Sequence, residues 1–361
     1  MKVCFYGNTG HFFTAVVAKS RLPQMQIAGY CPSYPGESMD QLRLFCGKVK
    51  GEYPDGWEIH ARNGGGSVAC DPVEYADLDV MLQTERPDVL VVDNRFAERY
   101  LPEKKALEAG CHVYADKPIA IREDELLDLY ETVKRTGKTL WAMDTVRYDA
   151  WYDTARKLVA AGKIGKVRMV NCQKSYRLGK RLAFYGERKY YGGTIPWVTI
   201  HSIDMIRMIT GREMRSVYSV QNRADNGGYG DMEAITASVF ELEDDILATV
   251  QTDYYRPENT HSHDDDRLRV VGTEGILEVI RGSGEHEVRL INKDFNGVVP
   301  QEQPPFIFED FVHTIEGGGT GRLDVDESFR NAYAAICAQR AADTNSIVSM
   351  RNAKELFTMN R

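Results

Sequence analysis

The stretch that decides the fold is Gly110-Cys111-His112-Val113-Tyr114-Ala115-Asp116-Lys117-Pro118. Val113 and Tyr114 have strand character, and Pro118 cannot continue a ladder of hydrogen bonds. The residue before a proline is kept extended, so Lys117 is fixed at the carboxyl end of this strand. Open α/β sheets bind their ligands outside those carboxyl ends. A lysine at the rim of a low-dielectric cleft is suited to proton transfer. Alone, Asp116-Lys117 would read as a solvated turn pair; its neighbours decide otherwise.

On either side, strands and helices alternate. Pro87 to Asp93 reads as a strand, and Glu98 to Ala109 as a helix ended by Gly110. A helix over Arg122 to Thr136 ends at Gly137, and Thr139 to Met143 is a further strand. At the N-terminus, Lys2 to Tyr6 is a strand, followed by Gly7-Asn8-Thr9-Gly10-His11 and a helical Phe12 to Ala18. A strand, a glycine turn and a helix form a dinucleotide site, in which backbone N–H groups hold the pyrophosphate. Thr9 stands where the second glycine of that fingerprint belongs. The second strand, Met25 to Tyr30, leads into Cys31-Pro32-Ser33-Tyr34-Pro35-Gly36-Glu37. No acid follows the strand at the usual place for the ribose hydroxyls, and no arginine for a 2′-phosphate, which leaves Ser33 as the candidate. The polar, glycine-rich residues 48–72 read as a long surface loop. This alternation predicts a doubly wound parallel sheet over 1–143.

From Asp144 the pattern changes. A helix around Ala150 to Ala161 precedes runs of strand character at Val167 to Lys174, Met214 to Asn222, Ala234 to Leu242, Ile246 to Asp253, Leu268 to Gly272 and Gly275 to Ile280. Short turns join several of them, so 144–361 reads as an α+β domain with a large, mostly antiparallel open sheet. Its C-terminal helices are expected to pack back toward the first domain. Val217, Val220, Ile235, Ala237, Val239, Ile246, Ala248 and Val250 make its runs too apolar for a fully wetted face. A homo-oligomer with two-fold symmetry through 214–280 is therefore expected.

The chain has 361 residues, which allows two domains. Its formal net charge of −8, without a basic block, argues against nucleic-acid and anionic-membrane partners. No apolar run is long enough to span a bilayer, and the opening residues lack the pattern of a signal peptide. Seven cysteines without Cys-x-x-Cys spacing read as reduced, cytoplasmic usage. His261 and His263, beside Asp264 to Asp266, read as a solvated loop entering a strand, and no metal is assigned to them.

Taken in order, these segments resemble the Gfo/Idh/MocA oxidoreductases. Ala106 to Pro118 is similar to that family's Glu-Lys-Pro segment, with Asp116 for the usual glutamate. Arg147 and Gly162-Lys163-Ile164-Gly165-Lys166-Val167 resemble the entry to its second domain. Gly192-Gly193 with His201 to Gly211, and Asp265 to Gly275, resemble two later motifs. The family often carries aspartate four residues before the histidine, where this chain has Trp197. Asp93-Asn94-Arg95 replaces a usual Thr-Pro, and Arg99 falls near a common histidine.

The resemblance implies an NAD(P)-dependent dehydrogenase for a secondary alcohol of a sugar, polyol or glycoside, with NAD as cofactor and NADP left open. It implies that Lys117 and His201 are catalytic and meet over the nicotinamide. His201 suits the base and Lys117 the alkoxide, although the reverse assignment is open. The cofactor candidates are Gly7, Asn8, Thr9, Gly10, His11, Ser33, Asn94, Arg95, Asp116 and Lys117. The substrate candidates are Lys117, Arg147, Tyr176, Trp197, His201 and His261. Two other uses of the fold are redox-assisted glycoside cleavage with cofactor recycling, and a non-catalytic cofactor-binding regulator.

Overall fold

The computed structural model describes residues 1–48, 68–281 and 286–359. Most of the glycine-rich stretch read over 48–72 lies outside them. The chain divides into two compact units, Met1–Met143 with Pro305–Phe329, and Asp144–Pro304 with Arg330–Arg361.

Among the described residues the first unit is built on six strands: β1 (Lys2–Tyr6), β2 (Gln26–Cys31), β3 (Val73–Glu74), β4 (Val89–Val92), β5 (His112–Ala115) and β6 (Leu140–Ala142). All pair in parallel, in the order β3-β2-β1-β4-β5-β6. The order reverses between β1 and β4, the place where doubly wound sheets bind nucleotides. β4 is apolar throughout and fully buried, as expected for a central strand covered on both faces. Helix Glu123–Thr136 buries Leu126, Leu129, Tyr130 and Val133, and Gly137 ends it in the left-handed region at φ +65°. Helix Ile307–Ile315 completes the unit from far along the chain. Its Phe308 and Phe311 rings lie 5.0 and 5.3 Å from that of Tyr114, and Phe311 lies 5.4 Å from Trp141.

The second unit carries nine strands among the described residues: β7 (Val167–Arg177), β8 (Met214–Asn222), β9 (Ile235–Leu242), β10 (Leu247–Arg256), β11 (Arg267–Gly272), β12 (Gly275–Arg281), β13 (His286–Asn292), β14 (Asn296–Val299) and β15 (Val348–Ser349). Their order is β14-β13-β12-β11-β7-β10-β9-β8-β15. Every pairing is antiparallel except β7 with β10. The sequence reading finds six of these strands. It misses β13, β14 and β15, of which the last two are only four and two residues long. Period-two alternation puts one set of side chains inside. Of the eight apolar positions singled out above, Val217, Ile246, Ala248 and Val250 are buried within the chain, while Val220 and Val239 are exposed beside Tyr218 and Leu247. No helix among the described residues is long and apolar enough to cross a membrane.

Candidate active site

The glycine turn sits at the switch point of the first sheet. Gly7 has φ +76°, and a Cβ there would lie 2.5 Å from the Asp93 carbonyl oxygen, so the end of β4 admits only glycine. Thr9, in the place of the second glycine, donates from its N–H and hydroxyl to that same carbonyl, at 2.9 and 3.0 Å. The Gly10 and Phe12 N–H groups donate to Asp93 Oδ2 at 3.0 and 2.7 Å, and that of His11 to Asp116 Oδ2 at 3.2 Å. Two side-chain carboxylates thus take the N–H groups that the sequence reading assigns to a pyrophosphate. The helix they open, Phe13–Ala18, is only six residues long. The loop's remaining buried polar atoms are Asn8 Nδ2 and, at the end of β4, Asn94 Oδ1, neither of which has a partner. One donor and one acceptor without partners at the switch point fit the polar groups of a dinucleotide.

Sequence reasoning sets Glu37 against a 2′-phosphate near Ser33 but does not show that it bonds Ser33. Glu37 returns through the Pro35-Gly36 turn, where Gly36 has φ +83°. Its carboxylate accepts from the Ser33 N–H and hydroxyl, and from the Asn8 N–H at 3.2 Å. Burial pushes Glu37 up, and the bonds from Ser33 and Asn8 oppose that. An acid therefore does follow the second strand, six residues beyond its end. The Pro-Gly turn is the one sequence signal of its return. Arg95 stacks its guanidinium on Tyr34 in the same region, 4.0 Å from the ring centroid.

Lys117 is 2% exposed and follows β5. Its N–H donates to its neighbour Asp116 at 2.8 Å, and Asp116 Oδ1 also lies 3.0 Å from His11 Nδ1. Arg99, which is fully buried, donates to the Lys117 carbonyl and, at 3.1 Å, to that of Asn94. The same guanidinium lies 3.4 Å from Asp116 and 3.5 Å from Asp93. One buried cation thus joins the two carboxylates that fasten the glycine turn, and fixes the lysine's backbone as well. Burial alone would raise Asp116, but His11 and Arg99 hold it well below the usual carboxylate range. Asp93 is driven well up, by burial and then by the charge of Asp116.

In the second unit, a single π-turn over Ile195–Thr199 feeds helix Ile200–Thr210. Such turns recur at functional sites. Trp197 and His201 are 7% and 4% exposed. Gly193 has φ +123°, and a Cβ there would strike Gln339 Oε1 at 2.6 Å. Arg147, expected at the substrate, gives its Nε to Asp204 at 2.6 Å, with both side chains buried. Asn331 bonds Asp204 and Asp144, and accepts from Arg207, at 2.7 to 2.9 Å. A buried guanidinium needs its carboxylate, so here Arg147 secures the helix that carries His201. The Tyr176 ring stacks on His263 at 5.1 Å, while His261 is exposed. Lys174 pairs with Asp266 and lies 5.3 Å from the Tyr176 ring. Arg181 joins this aromatic cluster from the polar, aromatic stretch Ser175 to Tyr191, which the sequence offers equally as the lining of a sugar pocket and as a solvated basic loop or subunit contact; Tyr254, which the sequence reading leaves out of the site, joins it from β10.

The 3-2-1-4-5-6 parallel sheet and its glycine turn define a dinucleotide-binding fold. Residues 67–143 match the model of the oxidoreductase family with an NAD-binding Rossmann fold, and residues 152–278 that of the GFO/IDH/MocA C-terminal domain. An oxidoreductase structure from Thermotoga maritima is 35% identical, covers 97% of this chain and 100% of its own, and superposes with a TM-score of 0.86. The chain belongs to the Gfo/Idh/MocA family, and its first unit binds NAD. The D-glucoside 3-dehydrogenase of Escherichia coli (strain K12) is 27% identical over 52% of this chain and 53% of its own length. The NAD-dependent scyllo-inositol 2-dehydrogenase of Bacillus subtilis (strain 168) is 26% identical over 65% and 69%. The chain thus spans about half the length of the first of these two.

Proposed function

We propose that the protein is an NAD-dependent dehydrogenase acting on a secondary alcohol of a sugar, polyol or glycoside, with a keto-sugar as product. The observation that carries this reading is Lys117, an almost fully buried lysine whose backbone is pinned on both sides by Arg99 and Asp116. Such fixing is what a catalytic cation needs, because reorganisation during reaction would cost rate. Bound NAD supplies the hydride acceptor. Lys117 holds the substrate oxygen and stabilises alkoxide charge as it develops. His201 takes the hydroxyl proton, since an imidazole exchanges protons near neutral pH. Trp197 offers an apolar face to the C–H surface of a sugar ring. Arg147 and Asp204 act through His201 by holding its helix.

The activities of the glucoside and inositol dehydrogenases named above support the substrate class. Glu37 beside Ser33 supports NAD over NADP, because a 2′-phosphate there would meet a carboxylate. The seven cysteines, all free thiols, suit a reducing cytoplasmic compartment. The exposed apolar strand positions support a homo-oligomer through the second sheet. A panel of free sugars, inositols and glycosides, read at the reduced-nicotinamide absorbance band, tests the reading. Turnover of at least one class is expected, and no turnover of any would overturn it.

A further inference from the structure

Arg181 lies in the polar, aromatic stretch ahead of the His201 helix. Its guanidinium sits over the Tyr254 ring, 4.8 Å from the centroid, and 5.8 Å from that of Tyr185. Its Nε is buried without a hydrogen-bond partner, while Nη2 donates to the Arg177 carbonyl at 2.8 Å. Among the described residues it forms no ion pair. The acids of the neighbouring segments are committed elsewhere. Asp266 holds Lys174, Asp264 holds Arg281, and Glu233 holds Arg188 and the Thr194 N–H. Glu258 accepts from the Gly179 N–H at 3.2 Å. The rings around Arg181 are themselves fixed. Tyr254 is 3% exposed, and its hydroxyl lies 3.3 Å from that of Tyr191. The Tyr191 hydroxyl in turn lies 2.8 Å from that of Thr194, just ahead of the turn that carries Trp197.

A cation partly withdrawn from water is costly unless something of opposite charge meets it. Aromatic faces offset some of that cost. They engage the flat face of a guanidinium, however, and leave the Nε–H on its edge without an acceptor. That edge matches a planar carboxylate. One unmatched positive charge suits one negative charge, rather than the roughly −1.5 to −2 of a phosphate monoester. We propose that the substrate carries a carboxylate that Arg181 receives, which makes it an acidic sugar of the uronic-acid class or a glycoside of one. This inference rests on the sugar dehydrogenase reading and narrows it.

The test measures binding and turnover separately on the NAD-loaded protein. Calorimetry compares D-glucuronate, D-galacturonate and D-mannuronate with their neutral parent sugars and with D-glucose 6-phosphate. The same set is assayed for formation of reduced nicotinamide. At least one uronate is expected to bind roughly ten- to a hundredfold more tightly than its neutral parent, the range of a charge-assisted hydrogen bond. Arg181→Gln should bring that ratio close to one, and Arg181→Lys should retain part of it. No preference for any uronate, tightest binding of the phosphate, or a preference that survives Arg181→Gln would each overturn the inference. Neutral sugars oxidised as well as uronates would overturn it and leave the dehydrogenase reading standing. A uronate bound through Arg181, with no sugar ever oxidised, would uphold the carboxylate subsite and sink the dehydrogenase reading.

Discussion

Replacing Arg99 with methionine tests how the first unit is held together. The side chain is fully buried and serves the Lys117 and Asn94 carbonyls and the Asp93 and Asp116 carboxylates. Its loss strands two acids out of water. Breaking a buried pair in this way costs about 3–5 kcal/mol, a large part of the ~5–15 kcal/mol that holds a typical domain folded. The sign of the pH dependence follows from the two acids. In the wild-type protein Asp116 sits below its unfolded value, so its contribution is present above that value and is lost only as the pH falls through the depressed one. Without Arg99, Asp93 takes up protons still more readily folded than unfolded, and Asp116, left with His11 and Lys117, loses part of what holds it down. The folded state then binds more protons, and its stability falls as the pH rises. The deficit should be larger at pH 8 than at pH 5, and Asp93→Asn in the same chain should recover part of it. Urea midpoints at the two pH values, followed by tryptophan fluorescence, measure this. An unchanged midpoint, or a deficit that grows toward acid, would refute the reasoning.

Lys117→Ala and His201→Ala should each lose most turnover in kcat while NAD titration stays close to wild type, because both groups act on charge that develops in the transition state. Near-wild-type kcat in either variant removes that residue from the chemistry. Wild-type protein should bind NAD more tightly than NADP, and Glu37→Ala should narrow the gap by about tenfold; tighter NADP binding by the wild type would contradict this. In light scattering at micromolar concentration the chain should exceed its 40.8 kDa, and Val239→Glu with Leu247→Glu should return it to a monomer. A wild-type chain that runs only as a monomer would end the idea of an interface on the second sheet.

Much of this molecule is written locally. β8, Met214–Asn222, has in the structure the bounds that its alternation predicts, and helix Glu123–Thr136 stops at the glycine that the sequence marks. Lys117 is legible because a proline fixes it at the end of an apolar strand. The features that escape reading depend on partners distant in sequence. Arg147 looks like a ligand-binding arginine, and nothing in the sequence shows that Asp204, fifty-seven residues on, pairs with it. Glu37 looks like a loop acid until its turn brings it back to Ser33 and Asn8. Asp93 and Arg99 stand out in the sequence only as departures from a familiar pattern, with nothing to show that they meet.

The late arrival of helix Ile307–Ile315 has a consequence for synthesis. The six strands of the first unit are all made by Ala142, yet the aromatic side chains that cover Tyr114 and Trp141 come from Phe308 and Phe311. About 160 residues separate the two, so at ~5–20 residues per second a ribosome takes roughly ten to thirty seconds to deliver the cover. During that interval the nascent sheet presents an uncovered aromatic face while all of the second sheet but its last strand, β15, is being made. A chain interrupted between Met143 and Pro305 would keep that face for good, and should be a substrate for chaperones even with every strand of its first sheet present.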